Sequence, residues 1–171
     1  MTNLPPLTRR KMLAAASTLA LSACGFELRG TPEFVFKTLF TRFPEGSPLG
    51  REFARTMAST GAVELISDLK QMDRAEAILD VLADQRERSV VGQSGAGQVR
   101  EFQLRQRFRF RLRSRDGREL LEETELVQMR EISFNESAVL AKESEQEFLY
   151  RDMQTEIVQQ LMRRLAAVKR L

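Results

Sequence analysis

From Val99 to Arg113 the chain alternates strongly enough to define two faces of one strand. Phe102, Leu104, Phe108, Phe110 and Leu112 share one face under the period-two rule, and Arg105, Arg107, Arg109, Arg111 and Arg113 share the other. Asp116-Gly117 predicts a tight turn into a second strand from about Arg118 to Glu131. Upstream, Ala77, Leu79, Val81 and Ala83 alternate with polar residues and predict a strand running towards Val91. The aromatic and β-branched run Phe34–Phe43 reads as another strand, stopped by Pro44 and Glu45-Gly46, and Val63–Ile66 as a short one. Two helical patterns complete the chain. Ser47-Pro48 looks like an N-cap with proline at the first helical position, Leu49, Phe53 and Met57 form one stripe, and Gly61 is placed as a C-cap. Leu149, Met153, Ile157, Leu161 and Leu165 recur every four residues in the last segment, with Arg151, Asp152, Arg163 and Arg164 off the stripe. Lys169 and Arg170 suit the negative end of that helix dipole. The expected architecture is α+β: a two-layer sandwich in which two helices cover the Phe/Leu face of a four- to five-stranded sheet.

Two segments admit a functional reading. Gly92–Gly97 holds three glycines, but it lacks the Gly-Lys-Ser/Thr of a Walker loop and the spacing of a Rossmann loop, and a strand follows it. It reads as a hairpin connection. The arginine face is open to two readings. Glu119, Glu122, Glu123 and Glu125 on the partner strand predict a ladder of cross-strand ion pairs, each contributing about 0–1 kcal/mol. Arg105 to Arg113 could instead form a surface for a polyphosphorylated ligand, since guanidinium forks match phosphate oxygens. A three-residue loop would set Arg113 opposite Glu119, Arg109 opposite Glu123 and Arg107 opposite Glu125; other loop lengths give fewer such pairs and leave the register open.

Charge and cysteine usage change the picture at the N-terminus. Arg9, Arg10 and Lys11 precede about a dozen apolar or small residues that end in Leu21-Ser22-Ala23-Cys24. This is a basic region, an apolar region too short to span a bilayer, and a small-residue site before the chain's single cysteine. Such a pattern predicts a bacterial lipoprotein leader over residues 1–23, with Cys24 as the acylated N-terminus of a single domain over 24–171. Thr8–Leu13 fits both an ordinary leader and a twin-arginine signal. Gly25, in place of an inner-membrane retention aspartate, favours the outer membrane.

The 27 basic and 24 acidic residues of the whole chain give +3. The leader carries three of the basic residues, so the domain is electroneutral and its composition makes no case for nucleic acid. The absence of histidine removes imidazole catalysis and His-containing metal sites, and acylation consumes the thiol. These features predict no enzyme and no cofactor, and leave binding or assembly as the role.

Three motifs in order resemble the LptE family of lipopolysaccharide-assembly lipoproteins. They are Cys24-Gly25-Phe26-Glu27-Leu28-Arg29, the segment Arg130–Glu145 with Phe134-Asn135 leading to Leu140-Ala141-Lys142-Glu143, and Gln160–Leu165 in the last helix. The resemblance implies an outer-membrane lipoprotein that plugs the LptD β-barrel, supports its assembly and binds lipopolysaccharide. It implies that Lys142 contacts lipopolysaccharide and that a basic residue near the strand–loop–strand tip does so too. At that tip Val90-Val91-Gly92-Gln93 stands where an arginine is expected, with Arg88 and Arg100 on either side. The rival reading is a free-standing envelope lipoprotein that scaffolds other proteins or binds a periplasmic ligand. A wet barrel lumen suits a domain rich in charge but without net charge. Residues 98–118 hold eight arginines against Glu101 and Asp116, and residues 119–147 hold nine acids against Arg130 and Lys142, an asymmetry expected to orient the domain.

Overall fold

A computed structural model describes residues 32–171; the leader 1–23, Cys24 and the motif over 24–30 lie outside the described residues. In chain order the elements are β1 (Thr38–Thr41), α1 (Pro48–Thr60), β2 (Glu64–Ile66), a 3-10 helix (Leu69–Arg74) and β3 (Ala77–Gln93). Then come β4 (Val99–Ser114), β5 (Glu119–Ser133), a 3-10 helix (Glu136–Ala138) and α2 (Val139–Ala166). The sheet has five strands in the order β2-β1-β3-β4-β5. β1 runs parallel to both β2 and β3, and β3, β4 and β5 form an antiparallel meander. The fold is the expected α+β two-layer arrangement. No helix among the described residues is long and apolar enough to cross a membrane.

The caps form as the local chemistry predicts. Ser47 Oγ accepts from the Gly50 amide at 2.9 Å, Pro48 opens α1, and Gly61 closes it in the left-handed region at φ 62°. Leu49, Phe53 and Met57 from α1 meet Ile157, Leu161 and Leu165 from α2 above Phe108, Phe110 and Leu112 of β4, forming one core. Phe43 bridges the layers, its ring centroid 5.6 Å from both Phe53 and Phe108. A second cluster of Phe40, Ile66 and Ile78 lies on the opposite face of the sheet, with Met72 of the first 3-10 helix packed on it.

Two boundaries differ from the periodicity. Phe34 and Phe36 are buried, yet the first strand begins only at Thr38. The Lys37 amide donates to the Glu76 carboxylate instead of to a neighbouring strand, so the ladder starts one residue later. Lys169 and Arg170 lie beyond α2, whose last turn carries Arg163 and Arg164. The chain leaves the helix at Ala167, and Val168 and Leu171 pack against the core.

One irregularity in β3 has the largest effect. Its pairing with β4 shifts between Val81 and Ala83, which leaves Leu82 as an extra residue. Before the bulge Ala77, Leu79 and Val81 oppose Ser114, Leu112 and Phe110 on the helix-covered face. After it Asp84, Arg86 and Arg88 oppose Phe108, Gln106 and Leu104 on that same face. Ala83, expected in the core by alternation, instead opposes Arg109 on the outer face, because one inserted residue inverts a period-two pattern.

Phe108 is fully buried and touches both helices' layer and β4's own apolar row, so Phe108→Ala is expected to cost about 3–5 kcal/mol. The shift of the urea midpoint at constant m-value measures it.

Candidate functional site at the sheet tip and the arginine face

The outer face of β4 is a ladder of ion-paired arginines, in which Arg105 Nε alone is buried without a hydrogen-bond partner among the described residues. Arg107 pairs with Glu125 at 2.7 Å and with Glu87 at 3.4 Å, and Arg109 pairs with Glu123 at 3.3 Å. Arg111 and Arg113 share Asp80 at 2.8 and 2.9 Å, and Arg105 reaches Glu87 at 3.7 Å. Every arginine of the stripe therefore faces a carboxylate. Arg113 stands opposite Glu119, but two register shifts follow, so that Arg109 opposes Glu125 and Arg107 opposes Val127. The Arg109–Glu123 and Arg107–Glu125 pairs form nonetheless, because long side chains reach diagonally along adjacent strands.

The acids of β3 were not legible from the strand pattern. Asp80 and Glu87 are seven residues apart, which places them on opposite faces of a regular strand. The bulge at Leu82 brings both to the outer face. The positive segment 98–118 and the negative segment 119–147 are likewise neighbours in the sheet, so much of their charge is neutralised locally. Burial alone would raise the Asp80 pKa, but hydrogen bonds and charge from Arg113 and Arg111 outweigh it and hold the carboxyl below its usual value of 3.8.

A different basic site forms at the sheet tip, where α2 begins. Arg88 from β3, Phe102 from β4, Ile132 and Ser133 from β5, and Lys142 and Gln146 from α2 line a cleft of about 210 Å³. The Arg88 guanidinium lies 4.6 Å from the centroid of the Phe102 ring and donates to Gln146 Oε1 at 3.1 Å. Lys142 Nζ donates to Ser133 Oγ at 3.1 Å and to Glu145 Oε2 at 2.8 Å. Phe134 completes the cleft and meets Phe102 edge-on at 5.2 Å.

Of the three basic residues expected to act together, the fold brings two to one cleft. Arg88 reaches it because the β3 bulge turns it towards α2. Arg100 stands on the other side of Phe134, in an adjoining hollow of about 270 Å³ with Asn135 and Ser137. Its carbonyl accepts from the Phe134 amide at 2.7 Å. Asn135 caps the short helix before α2 by accepting from the Ser137 amide at 3.0 Å, which gives the Phe-Asn motif a structural role.

A polar band backs this site. Ser47 donates to Asp84, Gln106 donates to the other Asp84 oxygen at 3.1 Å, and Arg86 donates to Gln106 at 3.2 Å and to Gln154 at 3.1 Å. Gln154 in turn donates to Glu52 of α1. Gln106 is 1% exposed, so its two hydrogen bonds, one accepted from Arg86 and one donated to Asp84, are what make an amide tolerable on the Phe/Leu face. Tyr150 donates to the Glu87 carbonyl at 2.7 Å, its ring lies 4.9 Å from the Arg86 guanidinium, and burial pushes its phenol upwards. Arg130 ties β5 to α2 through Asp152 at 3.0 Å and Glu156 at 2.5 Å. Among the described residues no group of three or more His, Cys, Asp or Glu side chains is placed to hold a metal ion.

The family model described as "LptE: Lipopolysaccharide-assembly" matches residues 36–165. The solution structure of uncharacterized lipoprotein B from Nitrosomonas europaea is 32% identical over 84% of this chain and 91% of that one, with a TM-score of 0.70. The minor lipoprotein from Acinetobacter baumannii has a similar fold at 22% identity, over 78% of this chain and 93% of that one, with a TM-score of 0.61. So does the rare lipoprotein B from Shewanella oneidensis, at 20% identity over 77% of this chain and 95% of that one, also with a TM-score of 0.61. A comparison with curated proteins returns no match.

Asp80→Asn should destabilise the protein by about 1–2 kcal/mol at pH 7, since it leaves Arg111 and Arg113 without their shared anion in a half-buried setting. A carboxyl with a lowered folded-state pKa stabilises fully above its unfolded value and loses that contribution as pH falls through the folded one. The gap between wild type and Asp80→Asn is therefore expected to be constant from about pH 5 to 8 and to narrow as pH falls below the ordinary carboxyl value of 3.8, as read by denaturant unfolding.

Proposed function

This chain belongs to the LptE lipopolysaccharide-assembly family, and on that premise we propose that it is an outer-membrane lipoprotein, anchored through Cys24, that plugs an LptD-like β-barrel and binds lipopolysaccharide directly. The lipoprotein leader over residues 1–23 and the lipidated cysteine belong to this reading, as does export to the outer membrane. The observation that carries the binding step is the convergence of Arg88 and Lys142 on one aromatic-walled cleft. Phosphates of the lipid A or inner-core region supply the anions such cations recognise, and Phe102 and Phe134 offer apolar surface beside them.

The arginine ladder is assigned a structural part in this proposal. Its charges are taken up by Asp80, Glu87, Glu123 and Glu125, so a phosphate would have to displace a carboxylate from each. At the tip Glu145 is the one carboxylate paired with Lys142 among the described residues, and Glu143 also lines the cleft. Arg100, across Phe134, is assigned a secondary contact with a longer glycolipid. Exposed apolar side chains in the first three turns of α2, Leu140 at 80% and Phe148 at 62%, give that part of the helix a surface suited to a partner wall.

Charge reversal at Lys142 or at Arg88 is expected to weaken lipopolysaccharide binding by about tenfold each, with a smaller loss for Arg100. Glu145→Gln is expected to strengthen it, because Lys142 loses its competing anion. Surface plasmon resonance against immobilised lipopolysaccharide at two salt concentrations reads all four. Unchanged binding in both the Lys142 and Arg88 variants overturns the assignment. A stable equimolar complex with a large barrel on co-purification supports the plug, and its absence favours the free-standing lipoprotein.

A further inference from the structure

A second cavity has a different character and shares no residue with the tip cleft. β1 and β2 are parallel and joined through α1, so the carboxyl ends of both strands and the first turn of α1 meet at one place. Parallel βαβ units commonly receive ligands in this position. The cavity there measures about 370 Å³, and Phe43, Phe53 and Leu65 form its apolar walls. Arg42 and Arg51 also line it, and among the described residues no acidic side chain does.

Thr41 lines it as well. The residue is 7% exposed, and its Oγ1 is buried without a hydrogen-bond partner among the described residues. The position follows from strand alternation: Leu39 enters the core beneath the helices, Phe40 turns to the opposite face, and Thr41 returns to the helix side. A buried hydroxyl is normally satisfied, so an unpaired one in a cavity marks a place for a polar atom of a ligand. The α1 terminus itself is already served, since Ser47 Oγ takes the Gly50 amide. The arginines are not. Arg51 donates only to the Gly46 carbonyl, and neither it nor Arg42 makes an ion pair among the described residues.

We propose that this cavity binds an anionic amphiphile, with an alkyl chain among Phe43, Phe53 and Leu65 and an anionic head towards Arg42 and Arg51. One head oxygen accepts from Thr41 Oγ1. Two sources carry this chemistry, a free fatty-acid carboxylate and a phosphorylated lipid. The site is independent of the lipopolysaccharide cleft and does not rest on it.

Calorimetric titration of the purified chain with decanoate, decyl phosphate and decyltrimethylammonium, each below its micellar concentration, tests the proposal. Saturable one-to-one binding of either anion is expected, with the cation about tenfold weaker or more. Decanoate alone identifies a free acid as the source, and decyl phosphate alone a phosphorylated lipid. Ala54 is exposed and lines the cavity, so Ala54→Trp blocks it from the surface and is expected to abolish binding. Thr41→Val removes the hydroxyl at equal volume and should weaken anion binding about tenfold without lowering the thermal midpoint. Both variants are expected to retain wild-type lipopolysaccharide binding, which also reports that they fold. Should Ala54→Trp fail to fold, Thr41→Val decides alone. No saturable binding, equal affinity for the cation, or unchanged binding in the deciding variant overturns the proposal.

Discussion

The extra residue at Leu82 is the constraint on which the arrangement of charge in this molecule depends. A strand presents alternate residues to alternate faces, so one insertion exchanges the faces for everything that follows. Before the bulge β3 contributes Ala77 and Leu79 to the core; after it the same face carries Asp84, Arg86 and Arg88. The inversion sends Glu87 outwards to join Asp80 beneath the arginines of β4. It also sends Arg86 and Arg88 inwards, where α2 lies over them. A regular strand would have turned Glu87 inwards and Arg88 outwards, taking from the ladder the carboxylate that faces Arg105 and Arg107 and from the cleft one of its two cations.

Between the main core and the smaller cluster of Leu104, Ile132, Tyr150 and Met153 runs the band from Ser47 through Asp84, Gln106, Arg86 and Gln154 to Glu52. Its members come from α1 and its cap, β3, β4 and α2. Because each buried polar atom needs its partner in place, the band fixes the height and rotation of both helices over the sheet more narrowly than apolar contact would. That rotation determines where Lys142 projects, several turns up α2 from Gln154. The tip cleft thus inherits its geometry from a network that does not itself line it.

The two basic regions differ in how their charge is compensated. On the outer face of β4 each guanidinium is matched by a carboxylate on β3 or β5, an arrangement that stabilises the sheet modestly and leaves little field. At the tip, Arg88 rests on an aromatic ring and an amide, and Lys142 on one flexible glutamate and a serine hydroxyl. Cations held by neutral or weakly held partners are the ones available to an external anion. Arginine density along the sequence is therefore a poor guide to where a phosphate would bind here; the identity of each arginine's neighbour is the better one.

Much of the fold was legible in the residues because it depends on short-range rules. The α1 stripe and both its caps, the α2 stripe, the β4 alternation and the Asp116-Gly117 turn each follow from local stereochemistry and burial. The family motifs around Phe134-Asn135 and Lys142 were likewise visible, as was the ion-pairing of Arg107 and Arg109 with Glu125 and Glu123. The bulge was not, because Val81-Leu82-Ala83 is equally apolar in either phase and only pairing with β4 selects one. With it went the outward placement of Ala83 and the partnership of Glu87 with Arg105 and Arg107. Sequence by itself determined which elements form and which faces they bury, since those are properties of each segment. Tertiary structure alone decided which charges meet, because that depends on strand phase and register, which are settled between segments.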